Sequence, residues 1–131
     1  MLQPILSLRT NNFNDPKIIE RVTDLWAQAL KTLADHHGSI YGVYHNYESN
    51  YQGDYDLSIS IATEQLQDNT ITLGHNYREF PIALNQPSSI VEVWQNIWQM
   101  EENGELDRQY DADYEEYRSD GKVSIFISLK S

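Results

Sequence analysis

The sequence predicts an α+β protein: two βαββ repeats forming a shared antiparallel sheet, with two helices and a ligand cleft between the repeats. Three observations predict it. Two segments, Ile18 to Leu33 and Ile90 to Glu101, repeat their apolar residues at helical spacing, and the segments around them alternate with a period of two. The order strand, helix, strand, strand occurs twice, over about residues 1–63 and about 71–131. A chain of 131 residues has room for one compact domain, residues 1–131, and the stretch between the repeats is too short to be a flexible linker.

The elements follow in order. Residues 3–10 set Pro4, Leu6 and Leu8 in one register against Ile5, Ser7 and Arg9, a short strand that its proline places at a sheet edge. Asn14-Asp15-Pro16 supplies a cap and a first-turn proline for a helix carrying Ile18, Val22, Leu25, Trp26, Ala29, Leu30 and Leu33, which runs up to His36-His37-Gly38. In residues 39–47, Tyr41, Val43, His45 and Tyr47 alternate with Ile40, Gly42, Tyr44 and Asn46; in the next strand Tyr55, Leu57, Ile59 and Ile61 alternate with Asp56, Ser58 and Ser60. These two strands are expected to form a hairpin. The polar run Glu64 to Thr70 reads as a surface connection.

The second repeat opens with a strand inside Ile71 to Leu84, interrupted near Gly74 and Pro81. Pro87-Ser88-Ser89 announces a helix with Ile90, Val91, Trp94, Ile97, Trp98 and Glu101 that stops near Asn103-Gly104. Strands at 109–117 and 122–129 close the chain around the turn Ser119-Asp120-Gly121.

Composition excludes several kinds of function. Nine Lys and Arg against 20 Asp and Glu leave a net charge of −11, which repels nucleic acid and anionic lipid and attracts cations. The start Met1-Leu2-Gln3-Pro4 lacks the basic and apolar segments of a secretory signal, and no run approaches the roughly 20 apolar residues of a membrane span, so a soluble cytoplasmic protein is expected. Without cysteine there are no disulfides, thiol nucleophiles or thiolate metal sites. His36, His37, His45 and His75 lack metal-ligand spacing, the acidic runs do not match a calcium loop, and no phosphate-binding or G-x-S-x-G motif is present. No metal and no cofactor is expected.

Four segments of the second half carry a family resemblance: Gly74-x-x-Tyr77-x-x-Phe80, Ile90-x-x-x-Trp94-x-x-Ile97-Trp98, Asp113-Tyr114-Glu115-Glu116-Tyr117, and Val123 to Leu129. Together they resemble the GyrI-like effector-binding domains, also met as ligand-binding modules of AraC-type and MerR-type multidrug-responsive regulators and in integron cassette proteins. No stretch before residue 71 has room for a helix-turn-helix beside the first repeat, so the resemblance implies a stand-alone binding module. Pro81 departs from the family's usual pattern at what would be the pocket rim.

The resemblance implies that Glu115, the acid of an aromatic-Glu-x-Tyr strand ending in Tyr117, meets a cationic lipophilic ligand on the cleft side. Strand alternation then sends Glu116 to the opposite face. The chemistry suits the assignment, because a carboxylate among aromatic rings offers a delocalised cation a Coulomb partner and ring-quadrupole attraction. Trp94 and Trp98, one turn apart on the second helix, and Trp26 on the first are candidate stacking residues, although aromatics at this spacing also build cores. Tyr44 and Tyr47 fall on opposite faces of one strand, so at most one of them lines the cleft. Tyr44, which shares its face with Gly42, is the choice, and Phe126 is the candidate floor.

The expected function is binding of a cationic, aromatic or amphipathic small molecule without catalysis. The alternatives are an acidic module engaging a basic protein partner, as in gyrase inhibition, and a hydrolase using Glu115 with a second acid in the cleft. A homodimer through exposed strand edges is expected of a module without a partner domain.

Overall fold

The computed structural model describes residues 1–83 and 89–130 and consists of one six-stranded antiparallel sheet with two helices. The elements are β1 (Leu2–Thr10), α1 (Ile18–Thr32), β2 (Ile40–His45), β3 (Tyr55–Ala62), β4 (Tyr77–Pro81), α2 (Ser89–Glu102), β5 (Ala112–Tyr117) and β6 (Val123–Ser128). The sheet order β1-β3-β2-β5-β6-β4 sets the two βαββ units back to back. Their seam is the β2–β5 pair, in which Gly42 faces Glu115 and Tyr44 faces Asp113. The predicted hairpin of β2 with β3 is present.

Both proline-bearing strands are edges. Among the strands of the described residues β1 neighbours β3 alone and β4 neighbours β6 alone, so Pro4 and Pro81 take no N–H from an interior ladder. Pro4 does not share a face with Leu6, as strict alternation predicts. A bulge between these residues pairs Pro4 with Ser60 and Leu6 with Ile59, turning the proline to the other face.

Helix α1 is shorter than its sequence signals. Asp15 accepts the Lys17 N–H on its carboxylate at 3.0 Å and the Ile18 N–H on its carbonyl at 3.2 Å, which closes a turn ahead of the helix proper. At the other end Leu33 caps the helix by donating its N–H to the Ala29 carbonyl, and His36 and His37 lie beyond it. Of the apolar repeat, Leu25 and Ala29 are buried, whereas Leu30 faces solvent. In the second unit Leu84, Pro87 and Ser88 lie outside the described residues, and α2 ends as predicted, at Asn103 and a Gly104 with φ of 77°. β5 begins at Ala112 instead of residue 109 because Tyr110, with φ of 58°, turns the chain out of the extended conformation.

Three apolar clusters hold the sheet. Leu25 and Ala29 of α1 rest on Tyr55, Leu57 and Ile59, and Ile97 of α2 rests with Leu106 on Ile125 and Ile127. Burying each such large aliphatic side chain contributes about 1.5–3 kcal/mol. Leu2, Val43, Ile71 and Ala112 form a smaller cluster on the opposite face. Each helix thus has its own core beneath it, and the seam between them carries polar groups.

Candidate functional site

Alternation along β5 puts Asp113, Glu115 and Tyr117 on the helix side of the sheet and Tyr114 and Glu116 on the other. Glu116 there accepts the Ser39 hydroxyl at 3.0 Å, as its predicted orientation requires. Glu115 is 4% exposed. Its Oε2 accepts the Tyr44 hydroxyl and the Trp94 indole N–H, each at 2.7 Å, and its Oε1 accepts the Tyr117 hydroxyl at 2.7 Å.

All three donors are neutral, and among the described residues no Arg, Lys or His pairs with this carboxylate. Burial pushes the Glu115 carboxyl above the usual range, and the three hydrogen bonds only partly oppose it. Burial, followed by the neighbouring carboxylate, holds the Tyr44 and Tyr117 hydroxyls protonated well beyond the ordinary tyrosine range.

Rings close the box around the acid. Trp26 meets Tyr117 edge-on at 4.9 Å between centroids, and Tyr44 meets Trp94 edge-on at 5.0 Å. Gly42 makes the box possible: a Cβ there would lie 3.1 Å from the Trp26 ring and 3.3 Å from Glu115 Oε1.

Tyr44 and Trp94 separate Glu115 from a cavity of about 450 Å³ between the two helices. Ile18 and Val22 of α1, Val91 and Trp98 of α2, and Leu57 of the sheet give it mostly apolar walls. This size is in the usual range for small-molecule sites. At the rim, Tyr51 stacks on Trp98 at 5.3 Å and 12°, with the exposed Phe13 against both rings.

A second charged group borders the same cavity. Arg108, 4% exposed, donates from Nη2 to Asp113 Oδ2 at 2.7 Å, and the Tyr47 hydroxyl donates to the same oxygen. Asp113 Oδ1 accepts the Ser128 backbone N–H at 2.8 Å, which ties the pair to β6. The guanidinium carbon lies 4.3 Å from the Tyr110 ring centroid. Burial opposes the charge of Arg108 most strongly, but Asp113, Tyr47 and Tyr110 together outweigh it and keep the group protonated.

The structure therefore gathers Glu115, Trp94, Tyr44, Tyr117 and Trp26 into one box and sets Trp98 at the cavity rim. Phe126 is not brought there. It pairs with Tyr114 across β5–β6 and stacks on that ring at 4.8 Å on the opposite face, because Ile125 and Ile127 take the helix side. Tyr44 and Tyr47 do not fall on opposite faces either. Asn46, with φ of 51°, ends the alternation after His45, and both tyrosines line the cavity.

Arg108, Asp113 and Tyr55 are cavity or network residues that sequence reasoning passed over. Asp113 carried a usable signal, standing two residues before Glu115 on the same strand face; Arg108 lies in an irregular segment without periodicity. Among the described residues no group of three or more His, Asp or Glu side chains is placed to hold a metal ion, and no helix is long and apolar enough to cross a membrane.

Comparison with known proteins agrees with this architecture. The family model of Cass2, the integron-associated effector binding protein, matches residues 6–129. Among solved structures, the integron cassette protein VCH_CASS2 from the mobile metagenome of Vibrio cholerae superposes with a TM-score of 0.71 over 99% of this chain and 95% of that one, at 24% sequence identity. At that identity the likeness speaks for the fold alone. No curated protein matches the chain. With nearly its whole length matched by the family model, the chain belongs to the Cass2 family of integron-associated effector binding proteins.

Proposed function

We propose that the protein binds a cationic, aromatic or amphipathic small molecule in the cleft between its repeats, with Glu115 as the charge partner. Tyr44, Trp94, Tyr117 and Trp26 form the aromatic wall, and Trp98 forms the rim. One observation carries the reading: Glu115 is 4% exposed and its three partners are all neutral donors. A carboxylate removed from water without a countercharge is costly, and a cation entering from the cavity supplies the missing charge. To reach it the ligand passes between Tyr44 and Trp94, exchanging their hydrogen bonds for ionic and ring-face contacts. The net charge of −11 adds a diffuse attraction for cations.

Binding without chemistry also suits the family's description as effector binding. A carboxylate hydrolase needs a second free acid beside Glu115. The acid on the same face, Asp113, is already bound by Arg108, Tyr47 and the Ser128 N–H.

The test is a tryptophan fluorescence titration of the wild type and Glu115→Gln with lipophilic cations and matched neutral analogues. Glutamine suits the box: its carbonyl can accept from Trp94 and Tyr44 while its amide donates to the Tyr117 oxygen. The reading expects saturable quenching by the cations only, weakened at least tenfold in the variant. Equal response to neutral analogues, or an unchanged response in Glu115→Gln, would overturn it.

A further inference from the structure

Arg108 is buried at the cavity wall with more donors than partners. A guanidinium carries five N–H groups in a planar fork. Nη2 is committed to Asp113 at 2.7 Å. Nη1 lies 3.5 Å from Glu101 Oε1, an ion-pair contact without hydrogen-bond geometry. Among the described residues neither Nε nor Nη1 has a hydrogen-bond partner, and both atoms are closed off from solvent. Buried polar groups are almost always hydrogen-bonded, so two open donors on one charged side chain beside a cavity point to an acceptor that arrives from outside the chain.

The surroundings decide what kind of acceptor. Asp113 and Glu101 already set two carboxylates against the one positive charge of Arg108. A further anion would meet net negative charge, whereas a neutral oxygen accepts the hydrogen bonds without adding to it. Tyr110 covers one face of the guanidinium, so the acceptor approaches in the plane of the fork, where the open N–H groups point. Arg108 also stands one step along the seam from the box, since its partner Asp113 and the acid Glu115 lie two residues apart on one face of β5, about 7 Å at roughly 3.3 Å per residue. A drug-sized molecule spans that interval.

We infer that the ligand of this cleft carries, besides its cationic ring or head group, a neutral hydrogen-bond acceptor such as a carbonyl, ether or amide oxygen, and that Arg108 receives it through Nε and Nη1. The inference rests on the proposed cleft reading and deepens it, making Arg108 a specificity residue for the uncharged part of the ligand. Binding includes a turn of the guanidinium toward the cavity, with the Asp113 bond as its pivot.

The test uses three probes that share a benzyldimethylammonium head and a tail of equal length ending in a primary amide, a plain alkyl group or a carboxylate. Calorimetric titration of the wild type is expected to show the amide binding about tenfold tighter than the alkyl probe, the gain of a hydrogen bond to a charged donor, with the carboxylate no tighter than the alkyl probe. In Arg108→Lys, where the ammonium keeps a charge for Asp113 but loses the fork, the amide's advantage over the alkyl probe falls to within twofold; the ratio of the two affinities within the variant is the readout. A thermal melt checks that variant's fold, and the wild-type comparison decides the question even if it unfolds.

Equal amide and alkyl affinities in the wild type, both lost in Glu115→Gln, would overturn the acceptor site and leave the cleft reading standing. A carboxylate that binds tightest would overturn the neutral acceptor in favour of an anion. Failure of all three probes to saturate would overturn the cleft reading and the inference with it.

Discussion

Gly42 and Glu115 face one another across the seam between the two repeats, so close that a Cβ on the glycine would stand 3.3 Å from the carboxylate oxygen and 3.1 Å from the Trp26 ring. The absence of a side chain on β2 is thus the space in which the acid and the indole meet. Gly42→Ala is expected to push both aside, destabilising the protein by about 1–3 kcal/mol, as overpacking does in a tight core. It should also weaken lipophilic-cation binding severalfold. Denaturant unfolding measures the first effect and fluorescence titration the second; an alanine variant with native affinity would show that the box is not used.

Glu115 should make both stability and binding depend on pH. Burial raises its folded-state pKa above the ordinary 4.5, so between that value and the raised one the folded protein holds a proton that the unfolded chain has released. The sign follows: this contribution to stability is fully present below about pH 4.5 and is lost as pH rises through the raised pKa. Glu115→Gln should flatten that part of the profile of melting temperature against pH. Cation binding favours the ionised acid, so affinity is expected to rise over the same interval with release of a proton. Calorimetry in buffers of different ionisation enthalpy would detect that proton.

Asp113 is expected to be the costliest seam residue to remove. Its side chain and that of Arg108 are 0% and 1% exposed, and its two oxygens also hold Tyr47 and the Ser128 N–H. Asp113→Ala leaves a buried guanidinium without its closest countercharge, a loss of about 3–5 kcal/mol. Urea unfolding at neutral pH checks this, and a change below about 1 kcal/mol would mean that Arg108 finds a new partner within the folded protein.

Phe126 separates the sequence reading of the cleft from the structural one. Stacked on Tyr114 on the far face of the sheet, it touches nothing in the cavity. Phe126→Ala should cost about 1–3 kcal/mol of stability for a half-buried ring and leave cation affinity within twofold of the wild type. A large loss of affinity in a folded variant would return Phe126 to the site.

Much of this protein is legible in its sequence, and the reason is periodicity. The alternation of Tyr55, Leu57, Ile59 and Ile61 and the helical spacing around Ile90 to Glu101 report which face of each element is buried, because a strand repeats every two residues and a helix every 3.6. Pro4 and Pro81 mark the edges of the sheet, since an interior ladder needs the N–H that proline lacks. The Glu-x-Tyr spacing of Glu115 and Tyr117 places both on one face, where the structure joins them by a hydrogen bond.

Periodicity fails wherever a single residue resets it, and there the tertiary structure decided. One left-handed residue, Asn46, brings Tyr47 to the same cavity as Tyr44; one bulge turns Pro4 away from Leu6; and Tyr110 delays the start of β5. The ladder register likewise chose which strand face lies beneath the helices, sending Phe126 to the far side. The partners of Glu115 come from 71, 21 and two residues away, and Arg108, which pairs with Asp113 at the other part of the cavity, sits on an irregular segment. Local spacing determined the elements and their faces, because backbone geometry is local. The meeting of an uncompensated acid, its ring of neutral donors and a half-satisfied arginine was decided only when the sheet brought distant segments together and withdrew them from water.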